Sequence, residues 1–412
     1  MINKKFTASE LMDFEDKYGA HNYHPLPVVL QKGKGVFVWD VDEKRYFDFL
    51  SAYSAVNQGH CHPKIVDALI EQSRQLTLTS RAFYNNKLGI FEQYITQYFN
   101  YDKVLPMNTG AEAVETAIKL CRKWAYTQKR IPENAAQIVV CDGNFHGRTT
   151  TIVSFSVDTE AFTHYGPYTP GFIIIPYNNV KALEEVLSSN PNIAGFLVEP
   201  IQGEAGAYVP DTGYLQQCFE LCRVHNVLFI ADEVQTGIAR TGKLLACDYE
   251  NVHPDILILG KALSGGVYPV SAVLASHEIM QVFKPGQHGS TFGGNPVAAA
   301  VAVAALEVIK DEKLAENAFE LGRYFRMEMK KLCEESNLAE FVRGKGLLNA
   351  LIINNQIHNN LAWDICLKLA ENGLLAKPTH NNIIRFAPPL IISKEQICEC
   401  VEIIRNTILS FE

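Results

Sequence analysis

Seven short apolar runs bounded by Gly, Pro or Asp recur through the middle of the chain, with helical patterns between them. The runs are Val104–Met107, Ile138–Cys141, Phe172–Ile175, Gly195–Val198, Val227–Ala231, Ile256–Leu259 and Val270–Ala275. Continuous apolar strands of this length are buried on both faces, so they need helices above and below. Helical spacing over Ala111–Trp124, Lys181–Leu187 and Tyr214–His225 supplies those covers. The predicted architecture is α/β: a mostly parallel seven-stranded sheet covered by helices, with right-handed connections.

After Pro296 the pattern changes to long helices, Ala298–Lys310 and Leu314–Ser336. Strand-like Leu347–Ile353 and Ile383–Phe386 and a helix over Lys394–Leu409 follow. A chain of 412 residues is too long for one compact core. Residues 56–311 are therefore expected to form a large domain and residues 312–412 a smaller α+β domain. The N-terminal segment 1–55 joins the small domain, with Val36–Trp39 as a short strand packing against it.

Composition excludes several classes. Hydrophobic residues are 47% and charged residues 20%, ordinary for a globular chain. The net charge of -8, with no Lys/Arg block longer than two residues, gives no footprint for nucleic acid or an anionic bilayer. The apolar run Val297–Leu306 is far shorter than the roughly 20 residues of a membrane span. Ten scattered cysteines, whose close pairs Cys218/Cys222 and Cys398/Cys400 match no CxxC spacing, imply free thiols in a reducing compartment. The N-terminus has no apolar core and carries early acids, so a cytoplasmic location is expected.

Three features could carry chemistry. Asn108-Thr109-Gly110-Ala111-Glu112-Ala113 follows a strand and opens a helix, where small residues let N–H groups approach a phosphate, although glycine turns are common without one. Asp232, with Glu233, ends the Val227–Ala231 strand, where ligand crevices open in α/β sheets; an acid there also serves as a helix cap. Lys261 sits between an apolar strand and a Gly-rich turn, a setting that lowers proton affinity and makes an amine nucleophilic toward an aldehyde. Most single lysines are solvated surface groups. Together, the phosphate cradle, the strand-end carboxylate and the desolvated amine are the parts that hold pyridoxal phosphate.

The runs LFIADEVQTG, LGKALSGG, HGSTFGGNP, MNTGAEAVETAIKL and NFHGRT resemble the class III, or ω-amino acid, aminotransferases that use pyridoxal phosphate. The further runs NYHPLPVVL, FDFLSAYSAVNQGHCHP, TSRAFYNN, EPIQGEAG, RGKGLLNA and LLAKPTHNNIIRFAPPL are similar to the ornithine-using branch of that family, from about Gly19 to Phe411. The resemblance implies the fold-type I architecture and transfer of the δ-amino group of L-ornithine to 2-oxoglutarate in a ping-pong reaction. It makes Lys261 the Schiff-base lysine, Asp232 the partner of the ring nitrogen, Gln235 a donor to the ring oxygen and Phe145 the stacking ring. Gly110 and Ala111 would contact the phosphate, joined by Ser290 and Thr291 of a neighbouring subunit, which implies a homodimer.

For the substrate, the resemblance implies that Arg148 binds the carboxylate as a fork, Tyr23 contacts the α-amine and Tyr53 shapes the pocket. It also implies that Arg385 receives the 2-oxoglutarate carboxylate and is masked by Glu204 during the first half-reaction. Glu199 would support the site without reacting. His146 departs from the pattern, because tryptophan is usual there in the animal enzymes and histidine in the acetylornithine branch. An acetylornithine or 4-aminobutyrate aminotransferase is thus the alternative within the family. A nicotinamide-dependent dehydrogenase would also suit the α/β pattern, but no GxGxxG follows a strand. A non-catalytic binding module is disfavoured by the presence of Lys261, Asp232 and Arg148. His60-Cys61-His62 lacks an accompanying carboxylate and the right geometry, so no metal site is predicted.

Overall fold

The computed structural model describes residues 5–354, 356 and 360–412. Residues 1–4, 355 and 357–359, which belong to the expected N- and C-terminal segments, lie outside that description.

Among the described residues, fifteen strands follow one another along the chain. The first three are β1 (Leu30–Lys34), β2 (Phe37–Asp40) and β3 (Arg45–Asp48). Next come β4 (Lys103–Met107), β5 (Gln137–Cys141), β6 (Phe172–Ile175), β7 (Ile193–Val198), β8 (Leu228–Asp232), β9 (Ile256–Leu259) and β10 (Ser271–Ala275). The last five are β11 (Ala339–Lys345), β12 (Leu348–Ile353), β13 (Leu374–Leu375), β14 (Lys377–Thr379) and β15 (Ile383–Phe386).

The seven predicted strands form one sheet in the order β4-β10-β9-β8-β7-β5-β6. All neighbours are parallel except β10, which runs antiparallel to both β4 and β9. Every residue of β7, β8, β9 and β10 is buried. That is the consequence of helices on both faces and explains the absence of alternation in these runs.

Local chemistry sets the ends of the elements. The helix Gly110–Trp124 starts at a capping box in which the Thr109 side chain accepts from the Glu112 N–H and Glu112 accepts from Thr109. Its buried face, including Ala113, Val114, Ala117, Ile118 and Cys121, lies against the sheet. Helix Tyr214–Val224 stops one residue earlier than the spacing predicted, because the chain turns at Asn226 with φ of 51°. Strand β12 begins at Leu348, since Gly346 turns with φ of 52° and the Leu347 N–H is taken by the Arg240 carbonyl.

Two smaller sheets stand beside the large one. The first, β11-β12-β15-β14, is antiparallel. The second, β1-β2-β3-β13, joins three N-terminal strands to a C-terminal one through parallel pairing of β3 with β13. Both chain ends thus build this part of the fold. The predicted Val36–Trp39 strand is β2, shifted by one residue. No helix among the described residues is long and apolar enough to cross a membrane. All ten cysteines are free.

Candidate active site

Strands β4, β5, β7, β8 and β9 point the same way, so the segments after them meet along one edge of the sheet. Gly110 follows β4, Phe145 and His146 follow β5, Glu199 follows β7, Asp232 closes β8 and Lys261 follows β9. All of them line one cavity of about 200 Å³, together with Ala111 and Gln235. This is the crevice at the carboxyl ends of the strands where α/β sheets bind ligands.

Lys261 opens a short turn with its own φ at 44°, and its side chain faces the cavity. Burial lowers its proton affinity, opposed by the charges of Glu204 and Asp232. Asp232 is 5% exposed. Its Oδ1 accepts the Val234 N–H at 3.0 Å and its Oδ2 lies 2.7 Å from His146 Nδ1. Burial opposes charging of His146, but the hydrogen bond to Asp232, the Asp232 charge and Glu199 together raise its pKa. Glu199, which accepts the Phe145 N–H at 3.0 Å, is pushed up to about 7 by burial, against the His146 charge. A buried carboxylate–imidazole–carboxylate group therefore lies at the cavity floor.

The helix start at Gly110 supplies N–H groups with no partner inside the helix. A Cβ at Gly110 would come within 2.9 Å of Val234 Cγ1, so the close approach requires glycine. Gly203 has a similar part: a Cβ there would fall 1.7 Å from Gln235 Oε1. That oxygen is buried and has no partner among the described residues, as is true of His146 Nε2. Both residues line the cavity, so these atoms are open to a partner bound there.

A second group forms a wall above the cavity. Arg385 Nη1 pairs with Glu204 Oε1 at 2.8 Å, and Gln235 Nε2 donates to the same oxygen at 3.2 Å. Burial raises the Glu204 pKa, but the Arg385 charge and hydrogen bond outweigh it and hold the carboxyl below its usual value. The Arg385 guanidinium lies 4.9 Å from the centre of the Tyr53 ring. Arg385, Glu204, Tyr23 and Arg148 all act electrostatically on the Tyr53 hydroxyl, whose pKa is raised chiefly by burial. Tyr53 belongs to Ser51–Ser54, four successive residues with positive φ. Such a conformation costs about 1–2 kcal/mol per non-glycine residue.

Of the residues singled out in the sequence, Lys261, Asp232, Gln235, Gly110, Ala111 and Phe145 share the cavity. Glu204, Arg385 and Tyr53 form the wall. Arg148 is exposed beside Phe145, with 5.5 Å from its guanidinium to the ring centre, and Tyr23 is exposed. Ser290 does not line the cavity; its Oγ accepts from Asn108 Nδ2 of the same chain at 2.8 Å, and Thr291 is exposed. The bond between His146 and Asp232 was not foreseen. The two residues are 86 positions apart, and no local pattern links them.

A lysine of lowered proton affinity, a buried carboxylate and a helix N-terminus around one crevice define an enzyme that handles amines on a bound aromatic phosphate. The chain belongs to the class-III aminotransferase family, whose model matches residues 18–408. It is 63% identical over 396 residues to the mitochondrial ornithine aminotransferase of Drosophila ananassae, covering 96% of this chain and 90% of that one. The ornithine aminotransferase of Toxoplasma gondii superposes with a TM-score of 0.97 at 48% identity, covering 99% of this chain and 96% of that one. Another structure of that enzyme, crystallised with oxidised glutathione, has partial occupancy of pyridoxal phosphate (PLP) in its active site. A structure from Elizabethkingia anophelis described as an acetylornithine aminotransferase is 64% identical with a TM-score of 0.91, covering 98% of this chain and all of that one.

The cofactor of this family is pyridoxal phosphate, and the cavity fits it. It offers an acceptor in Asp232, an amide in Gln235, an aromatic ring in Phe145 and N–H donors at Gly110 and Ala111.

Proposed function

We propose that this enzyme transfers the δ-amino group of L-ornithine to 2-oxoglutarate by a ping-pong mechanism. Its products are glutamate and glutamate 5-semialdehyde, and the semialdehyde cyclises to pyrroline-5-carboxylate. The reading rests on one observation above all: the Glu204–Arg385 pair stands over a cavity that holds Lys261 and Asp232.

When bound, pyridoxal phosphate supplies an electron-accepting ring that lets an amino group be exchanged for a carbonyl oxygen. Asp232 would keep a negative charge against the ring nitrogen, with His146 holding that carboxylate through its Nδ1. Gln235 would donate its amide N–H to the ring oxygen, Phe145 would stack on one face, and Gly110 and Ala111 would hold the phosphate. Lys261 would hold the group, and its Nζ, of lowered proton affinity, would carry a proton to and from the reacting carbon.

Arg148 takes the ornithine carboxylate, Tyr23 its α-amine, and Tyr53 restricts the shape of the chain between them. In this half-reaction Glu204 neutralises Arg385, so no free cation near Lys261 attracts the wrong end of ornithine. In the second, Glu204 turns away and Arg385 binds the carboxylate beside the keto group of 2-oxoglutarate. A partly buried ion pair suits such a switch, because its desolvation cost and Coulomb gain nearly cancel.

The reading includes a homodimer in which Ser290 and Thr291 complete the neighbour's phosphate site. It also includes a division into a cofactor-binding part, 56–311, and a substrate-closing part built from 1–55 and 312–412. A reducing setting suits the ten free thiols, and the reading places the enzyme in the cytoplasm, while the Drosophila relative carries a mitochondrial name.

N-acetylornithine is the second candidate amine, favoured by His146 and by the name of the Elizabethkingia structure. Ornithine-dependent formation of pyrroline-5-carboxylate, with 2-oxoglutarate as acceptor, tests the proposal. No product above a boiled control would reject it.

A further inference from the structure

We infer that Asp48 and His60 form a clamp that positions Tyr53 and thereby sets the selectivity of the substrate wall. The inference rests on the ornithine reading, in which Tyr53 faces substrate.

Tyr53 lies in the turn Ser51–Ser54, whose φ angles are 49°, 46°, 59° and 73°. None of the four is glycine, and L-residues crowd their own carbonyls in this region, so the turn persists only where its surroundings impose it. Its own side chains do not impose it. The hydroxyls of Ser51 and Ser54 are buried with no partner among the described residues.

The constraint comes from the end of β3. Asp48 Oδ1 accepts the N–H groups of Leu50 at 2.8 Å and Ser51 at 2.9 Å, the amides that lead into the turn. Asp48 Oδ2 is engaged by His60 Nε2 at 2.7 Å. His60 is itself fixed, because its backbone exchanges hydrogen bonds of 3.0 and 2.8 Å with Gly35. Its ring passes so close to residue 33 that a Cβ there would stand 2.9 Å from the ring's Cγ. Glycine at 33 leaves the space that the imidazole needs.

The same segment is aligned with the other half of the wall. The Phe49 carbonyl accepts the Ala387 N–H at 2.7 Å, two residues beyond Arg385. One carboxylate therefore fixes the turn on a backbone already registered against β15, and the Tyr53 ring comes to rest 4.9 Å from the Arg385 guanidinium. This gives His60 a task that a metal-ligand reading of His60-Cys61-His62 could not. His62 turns instead to Glu312 at 2.9 Å. Asp48 and His60 are positioning residues, acting on substrate only through Tyr53.

The test is a double-mutant cycle on the purified holoenzyme. The ratio of kcat/KM for ornithine to that for 4-aminobutyrate is measured in the parent, Asp48→Ala, Tyr53→Ala and the double variant. Asp48→Ala is expected to lower the ratio roughly tenfold when Tyr53 is present and by less than about twofold when it is absent, as for residues that act through one contact. Equal losses for both amines, or additive effects, would overturn the clamp. Should Asp48→Ala fail to fold, Gly33→Ala crowds the imidazole while leaving Asp48 and His60 intact, and the same fall in ratio is expected; an unchanged ratio in that variant overturns the clamp too. Asp48→Asn, which keeps an oxygen for the two amides, is expected to restore part of the ratio. A parent with no ornithine preference would reject the functional reading and the clamp together. A preference that survives Asp48→Ala would reject the clamp alone.

Discussion

The cavity floor and the substrate wall meet around one lysine but are built in opposite ways. The floor comes from the ends of parallel strands buried on both faces, and its two carboxylates are held by backbone or by another buried side chain. Asp232 is fixed twice, by Val234 and His146, and Glu199 is fixed by Phe145. The wall comes from an irregular N-terminal segment, a left-handed turn, a loop after β7 and a strand of a different sheet. Its central contact is the ion pair between Arg385 and Glu204. On the proposed reading the difference divides the labour: the floor would keep the chemistry constant, while the wall would decide which amine or keto acid receives it.

The contrast is broken most severely at the floor. Lys261→Ala should lower turnover on every amine by on the order of 10³-fold or more, since a positioned proton carrier contributes roughly 10²–10⁴-fold. It should also abolish the visible absorption band of the holoenzyme that borohydride removes. Turnover with both ornithine and 4-aminobutyrate should fall together; loss of one alone would mean that floor and wall are not separate.

At the wall the effect should be smaller and selective. Glu204→Ala leaves Arg385 unmasked in the first half-reaction. Single-turnover measurements should then show kcat/KM for ornithine falling relative to glutamate by about tenfold, equivalent to about 1.4 kcal/mol. An unchanged ratio would remove the switch from the account.

The smallest effect concerns stability. The folded Glu199 carboxyl, raised to about 7 from an ordinary value of 4.5, keeps a proton that the unfolded chain releases. Its contribution is thus fully present below about pH 4.5 and is lost as pH rises through about 7. His146, also raised from 6.5, gives the same sign above that value. Glu199→Gln isolates the first effect: the urea midpoint should fall less between pH 5 and 7 than in the parent, with the ornithine preference unchanged. Parallel pH profiles would contradict the assignment.

How far the sequence disclosed the molecule follows from the same division. The floor was legible because fully buried strands leave continuous apolar runs, and the groups at their ends fall at fixed places. Lys261, Asp232 and Gly110 could be named from those runs alone. The wall was legible only through resemblance, since Tyr53, Glu204 and Arg385 come from distant segments with no shared periodicity. Strands β1 and β11 escaped because their residues are mostly exposed or half-buried and carry no apolar run. The partnership of His146 with Asp232 and of His60 with Asp48 exists only after folding, and neither histidine has a local partner to betray it.

The most direct test of the whole account compares kcat/KM for L-ornithine, N-acetylornithine and 4-aminobutyrate on the purified enzyme with 2-oxoglutarate as acceptor. Ornithine is expected to be the best of the three, with pyrroline-5-carboxylate as its product. A value for N-acetylornithine equal to or above that for ornithine would contradict the assignment of Tyr23, Tyr53 and Arg148 to the ornithine α end.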